Sequence, residues 1–293
     1  MAKMNPREDA HSKVPHTCLL KIQSVYDVLK SAERKAVEYI MTHPDEIPGI
    51  SIVDLATRAG CSEATIVRLS KRLGYEGFPE LKIDFARSSE LPVFEYESIS
   101  RDDEPHIVFR KVVESTVSAL HDTVGIMDYE HYTAAVDAIV NAETVMFCGL
   151  GDAMHVALEA HQRFARAGKR SVAAVDPDFQ LILARQLKPG DVIVAISHTG
   201  RSRTVVDTVK SAKEVGATVI AITNYPVSPL AKRADIPLLT AVFTQYLTVE
   251  VMSKRVTELC IIESLYVNYL IKKGKPAIER LKESDRVVRI NKV

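Results

Sequence analysis

The sequence predicts two folds in series, an all-α unit followed by an α/β unit on a doubly wound parallel sheet, and three observations predict it. Through residues 31 to 74 the apolar residues recur at helical spacing. After residue 140, short apolar runs alternate with amphipathic segments: TVMFCGLG, SVAAV, DVIVAIS, TVIAIT and DIPLL are separated by stretches such as AMHVALEAHQRFARAG and RTVVDTVKSAKEVG. Between the two patterns lies LPVFEYESISRDDEP, acidic and carrying prolines toward both ends, the composition of a domain boundary.

In the all-α part, a first helix from Ser31 to about His43 carries Ala36, Val37, Ile40 and Met41 on one side. The next starts at the N-cap Ser51 and directs Val53, Leu55 and Ala56 toward a small core. Gly60 ends it in the left-handed conformation that glycine adopts at low cost. A third starts at the N-cap Ser62. Its apolar Ile66, Leu69 and Leu73 fall at helical spacing, Glu63, Thr65, Arg68, Lys71 and Arg72 face outward, and Gly74 closes it. Two short helices around a tight Ala59-Gly60-Cys61 turn, the second cationic, are the pattern of a helix-turn-helix DNA reader, in which the first turns of the second helix enter the major groove. Ser62, Glu63, Ala64, Thr65 and Arg68 are the base-reading candidates, while Lys71 and Arg72, further along, are placed for phosphate. A pair of core helices with a solvated charged face would show the same periodicity. The preceding helix supplies the third member that a trihelical DNA-binding domain needs.

In the α/β part, a helical pattern from about Ile107 (Val108, Val112, Val113, Val117, Leu120) leads into the alternating strands and helices. Such alternation means a parallel sheet with helices on both faces, and ligands then bind beyond the carboxyl ends of the strands, where strand order reverses. The chemistry is therefore expected on the loops after strands one and three. The first is Gly149-Leu150-Gly151-Asp152-Ala153 and the second Ser197-His198-Thr199-Gly200-Arg201-Ser202, each leaving a strand and opening a helix. Glycines admit close backbone approach, hydroxyls donate, and a helix N-terminus offers its positive dipole, which together suit a phosphate. Gly-x-Gly alone is equally a tight turn. Three hydroxyls around one glycine are not accounted for by turn chemistry. The long segment EVMSKRVTELCIIESLYVNYLIKKG follows as a helix with Val251, Val256, Leu259, Ile262, Leu265 and Tyr266 as its apolar positions.

Composition bounds the function classes. The 293 residues suffice for two domains, and 46% hydrophobic content builds a large core in at least one. With 38 basic and 38 acidic side chains the net charge is zero, so any nucleic-acid affinity is local. From residue 54 to 72, Arg58, Arg68, Lys71 and Arg72 stand against Asp54 and Glu63, a modest surplus that a homo-oligomer would multiply. Cys18, Cys61, Cys148 and Cys260 share no short spacing and read as reduced packing residues, neither a disulfide frame nor a metal site. No signal-peptide stretch and no run of membrane-spanning length occurs, which leads to the expectation of a cytoplasmic protein with no cofactor.

The run SAERKAVEYIMTHPDEIPGISIVDLATRAGCSEATIVRLSKRLGYEGFPELK resembles the N-terminal domain of RpiR-type bacterial transcriptional regulators, SEATIVRLSKRLGYEGF being its most specific part. The resemblance implies a winged or extended helix-turn-helix domain over about 25–90, a linker over 91–105 and a second domain over 106–293. Within that second domain, ISHTGRSRTVV and AITNYPVSPLAKRADIPL are similar to the sugar isomerase (SIS) domain over about 130–275, a flavodoxin-like fold that binds phosphosugars. By position, Ser197, Thr199 and Ser202 would hold the phosphate, with His198 and Gly200 adding backbone contacts and Gly149 and Gly151 shaping the first loop. Where many SIS first loops carry serine, this chain has Ala153 after Asp152. That carboxylate either accepts from a sugar hydroxyl or caps its helix. On the last long helix, which in SIS proteins lies near the ligand and the subunit contact, Glu250 and Lys254 are ligand candidates or plain exposed charges.

These resemblances together imply a homo-oligomeric repressor of carbohydrate genes that binds double-stranded operator DNA and a phosphosugar effector. The alternative is a SIS-type sugar-phosphate isomerase with an attached DNA-binding domain. Isomerisation needs a positioned general base, and the candidates His155, His198, Glu159 and Glu250 form no recognisable arrangement. A phosphosugar-binding scaffold whose helix pair serves protein contacts would leave Arg68, Lys71 and Arg72 without a purpose.

Overall fold

The computed structural model describes residues 14–87, 99–100, 102–242 and 253–289. The chain divides near Ser118 into two compact units. The first is all helical, with α1 (His16–Val25), α2 (Ser31–Thr42), α3 (Ile52–Arg58), α4 (Glu63–Arg72) and α5 (Phe78–Arg87) around one core. The serine caps act as their positions require. Ser51 Oγ accepts the Asp54 N–H at 3.0 Å and Ser62 Oγ accepts the Thr65 N–H at 3.2 Å, each satisfying a helix-end donor that would otherwise lack a partner. Between them Gly60 takes φ +63°, which a β-carbon would strain.

Leu55, Ile66, Leu69 and Leu73 are essentially inaccessible and meet Ala36, Val37 and Ile40 of α2. Burial of each such side chain contributes about 1.5–3 kcal/mol. Val53 departs from its expected core position: it is 53% exposed, because two residues along a helix is roughly 200° of rotation from the inward Leu55. The unit also begins before residue 25, since α1 buries Cys18, Ile22 and Val25 in the same core. Polar Thr17, Lys21 and Gln23 interrupt that stripe in the sequence. Thr17 Oγ1 and the Tyr75 hydroxyl both donate to the Asp84 carboxylate, tying α1 to α5. Most of the expected 91–105 linker lies outside the described residues.

Helix α6 (Pro105–Ile126) crosses the division between the units. The second unit continues with α7 (Tyr129–Asn141), β1 (Thr144–Cys148), α8 (Asp152–Arg166), β2 (Arg170–Val172), α9 (Pro177–Gln186), β3 (Val192–Ile196), α10 (Arg203–Glu214), β4 (Thr218–Thr223), β5 (Ile236–Leu239), α11 (Ser253–Lys273) and α12 (Lys275–Val288). All strand pairs are parallel, in the order β2-β1-β3-β4-β5. Alternation along the strands feeds two cores. Val145, Phe147, Val194, Ile196 and Ile222 pack with α7, α8 and α11, while Met146, Cys148, Ile193, Ala195 and Ala221 pack with α9 and α10. A sheet covered on both faces requires near-continuous apolar strands, and that is why β1, β3 and β4 were legible in the sequence. The order reverses between β1 and β3, whose carboxyl ends lie side by side in the register Cys148↔Ala195.

Cys18 and Cys148 are buried packing residues, but Cys260 is exposed on α11. On α6, Phe109 (72%), Val113 (44%), Val117 (47%) and Val124 (61%) are exposed, so Val113 and Val117 of the expected helical pattern face outward.

Candidate functional site

On α4, Ser62 (its N-cap), Glu63, Ala64, Arg68, Lys71 and Arg72 are exposed. Thr65 is not: it is 3% exposed, its hydroxyl lies 2.9 Å from Ser62 Oγ, and it accepts a hydrogen bond from Arg68 Nη2 at 3.3 Å. Its place is therefore behind Arg68 as a support. Arg72 also departs from the expected phosphate role. Its Nε lies 3.3 Å from Glu33 Oε1, a carboxylate only 3% exposed that also accepts the Lys30 backbone N–H at 2.8 Å. A charge buried this deeply needs its counterion, so Arg72 secures α2 to α4. Sequence reasoning passed over Val67, which is 37% exposed. Its signal was its spacing, one turn after Glu63 and one turn before Lys71.

In the second unit, the loops after β1 and β3 emerge side by side at the strand-order reversal. The β3 loop is rigidly built. Ser197 N–H donates to Ile222 O, Thr223 Oγ1 and Asn224 N–H donate to His198 O, and Leu230 N–H donates to Gly200 O at 3.0 Å. Gly200 has φ +60°, and a β-carbon there would meet Ser228 Oγ at 2.2 Å. Since Gly200 N–H donates to Ser197 O, its backbone is committed within the loop and not open to a ligand, contrary to expectation. What the loop presents is side chains: exposed Thr199, nearly buried Ser197, and Ser202, whose Oγ is buried with no partner among the described residues. Ser202 is the N-cap of α10 yet makes no capping bond. Its hydroxyl is thus held at a helix N-terminus, where an anion is favoured.

The β1 loop turns through Gly151, the N-cap of α8. Asp152, the first residue of the helix, does not cap it. Its carboxylate instead pairs with Arg255 Nη2 at 2.8 Å and Lys254 Nζ at 3.4 Å. Desolvation works to raise its pKa, but the two cations outweigh this and hold it below the usual carboxylate range. The charge of this carboxylate, next to the Ala153 that stands where a hydroxyl was expected, is thereby balanced by the two cations. Ala153 is buried beneath it. Lys254 is no plain surface charge: it bonds Asp152, and its field joins burial in pushing His198 down to about 4, which keeps that imidazole neutral. Glu250 lies outside the described residues.

Two groups here were not found from sequence. Gln180 of α9 is fully buried; its Nε2 donates to Gly149 O at 3.0 Å, supporting the first loop from below, and its Oε1 has no partner among the described residues. Glu258 is 3% exposed, one turn beyond Lys254 on α11. Burial pushes its carboxyl up to about 7; Lys254 and Arg255 oppose this and Asp152 adds to it. An acidic residue within an amphipathic helix reads as solvated, and only the packing of α11 against α8 shows otherwise.

The helical unit thus carries a cationic second helix after a tight turn, and the sheet unit a pair of loops, one rich in hydroxyls, at its strand-order reversal. That defines a class of protein, a helix-turn-helix DNA-binding unit joined to a SIS domain. Residues 16–90 match the model of the helix-turn-helix domain of the rpiR family, and residues 138–268 match that of the SIS domain. The chain is 33% identical over 267 residues to an uncharacterised HTH-type transcriptional regulator of Thermotoga maritima, covering 90% of this chain and 95% of that one. It is 34% identical over 276 residues to the HTH-type transcriptional regulator HexR of Pseudomonas aeruginosa, covering 91% and 94%. In fold it is similar to the Vibrio vulnificus NanR protein complexed with ManNAc-6P, with a TM-score of 0.61 and 22% identity over 94% of this chain and all of that one. The chain belongs to the RpiR family of HTH-type transcriptional regulators.

Proposed function

We propose that this regulator is a homo-oligomeric cytoplasmic repressor of carbohydrate genes, and that a phosphosugar bound between the β1 and β3 loops controls its grip on operator DNA. One observation carries the effector assignment: the buried Ser202 hydroxyl, without a partner among the described residues, at the N-terminus of α10, in a loop that Gly200 locks in place. A buried donor without a partner is costly, and a phosphate oxygen satisfies it. Ser197 and Thr199 complete the cradle, and Lys254 adds a cation. For DNA, Ser62, Glu63, Ala64 and Arg68 would face base edges and Lys71 the phosphates, with Thr65 and Arg72 holding the helix. In this reading the DNA-binding unit includes α1, ahead of the expected start at residue 25, and the effector unit includes part of α6. For oligomerisation, the support is the outward apolar stripe of α6, Phe109, Val113, Val117 and Val124, whose exposure a second copy would remove.

The test is fluorescence anisotropy of labelled operator duplex, enriched from random sequence by the full chain, titrated with a panel of phosphosugars. A phosphosugar that changes operator affinity supports the reading; a panel without effect on a specific protein–operator complex defeats it. The isomerase reading is favoured by one observation, the near-neutral carboxyl of Glu258 beside Lys254, since a general base works best with its pKa near the operating pH. NMR of each phosphosugar incubated with the protein separates the two. Conversion with unchanged operator affinity is the enzyme's result, and binding without conversion the regulator's.

A further inference from the structure

Val67 is the one large apolar side chain on the outward arc of α4, where its neighbours are Glu63, Ala64, Arg68 and Lys71. It does not complete the domain core, which Ile66, Leu69 and Leu73 fill from the opposite side of the helix. A β-branched residue is also a poorer helix former than the alanine, glutamate, lysine and arginine around it. Its side chain opens onto an apolar groove of about 570 Å³ whose walls include Ile50, Ile52, Phe78 and Ile83, with Lys82 alongside. Lys82 Nζ donates to Ile50 O at 2.9 Å, which fixes a positive charge beside the groove.

We propose that Val67 reads the 5-methyl group of a thymine in the operator's major groove. The inference rests on α4 being the base-reading helix and adds the identity of a base pair that it selects. The chemistry narrows the choice. Base-pair edges in the major groove offer hydrogen-bond donors and acceptors, which valine cannot engage, and a single apolar group, the thymine methyl. The flanking Arg68 and Lys71 bring this face of α4 against the duplex, and a methyl group lodged on Val67 at the mouth of the groove removes apolar surface on both partners from water. Glu63 at the previous turn disfavours a phosphate at the same spot, which keeps Val67 directed at a base.

The experiment uses the full chain and a duplex that it enriches from random sequence. Each thymine is replaced singly by deoxyuridine, a change that removes only the methyl group. Wild type is expected to lose about fourfold in affinity at one thymine per half-site, the factor for one buried methyl. V67A should bind the thymine duplex about as weakly as wild type binds the uracil duplex, and should be indifferent to uracil at that position. V67T, which keeps one methyl, should fall between them and guards against a folding defect in V67A. No sensitive thymine in wild type overturns the proposal. So does unchanged uracil sensitivity in V67A, which would mean that the valine packs on protein. Enrichment of no sequence at all would remove α4 as a base reader and the proposal with it, whereas an enriched operator without the coupling removes the proposal alone.

Discussion

Arg68 and Arg72 sit one turn apart on α4, yet their surroundings assign them different work. Arg68 leans on a buried Thr65 hydroxyl and projects outward, while Arg72 neutralises buried Glu33. Arg72→Ala should therefore destabilise the helical unit by about 1–3 kcal/mol, less than a fully buried pair because Arg72 is itself partly exposed. Arg68→Ala should leave stability intact and cost about 1–3 kcal/mol of preference for the cognate site. Urea unfolding and competition against random duplex measure the two effects; an unchanged midpoint for Arg72→Ala would show that the pair contributes little. At the proposed effector site, Ser202→Ala removes a hydroxyl that has no partner among the described residues. Unliganded stability and operator binding should be unaffected, while phosphosugar affinity drops by about 1.5–3 kcal/mol, the loss of a hydrogen bond to a charged group. Calorimetry with equal affinities for the variant and wild type would place the phosphate elsewhere.

At the scale of elements, α11 decides the electrostatics of the site. Lys254 and Glu258 lie on one face, a turn apart, and that face packs toward α8 and Asp152. The carboxyl of Glu258 stands at about 7 in the fold against an ordinary 4.5. The folded state thus holds a proton that the unfolded chain releases between those values. Its contribution to stability is present at pH 4.5 and is lost as pH rises through about 7. Thermal melts of Glu258→Gln from pH 5 to 8 should lack this downward slope, and a slope equal to that of wild type would mean that Glu258 is solvated. The β3 loop makes a second element-scale prediction. Gly200→Ala would force a β-carbon into Ser228 and demand a strained backbone. It should abolish effector response while the DNA-binding unit still folds, as circular dichroism and operator titration would report.

At the scale of the whole molecule, two units must exchange free energy for one to regulate the other. A ligand shifts operator affinity only if it binds the DNA-competent and DNA-incompetent forms unequally, and linkage makes the effect reciprocal. Operator DNA should therefore change phosphosugar affinity by the same factor that phosphosugar changes operator affinity, a match that calorimetry in both directions checks. The outward stripe of α6 adds a prediction about assembly. Val113→Asp combined with Val117→Asp should lower the molar mass seen by light scattering and weaken operator binding. A mass equal to that of wild type would free α6 from the contact.

The two fold classes, the five strands, both serine helix caps and the two loops at the strand-order reversal were all legible in the sequence, because each is written in local periodicity or turn chemistry. A strand buried on both faces must be an apolar run, and a helix N-terminus must find an acceptor for its free amides. Tertiary structure alone decided which outward-looking residues were truly outward. Thr65 and Glu258 are polar yet buried, Arg72 is cationic yet bound to Glu33, Asp152 is paired instead of capping, and Val67 is apolar yet exposed. The physical reason is common to all five. Periodicity fixes the direction of a side chain about its own helix, but whether it meets water, a counterion or a core depends on elements that arrive from far away in the chain: Glu33 of α2 for Arg72, and Arg255 of α11 for Asp152.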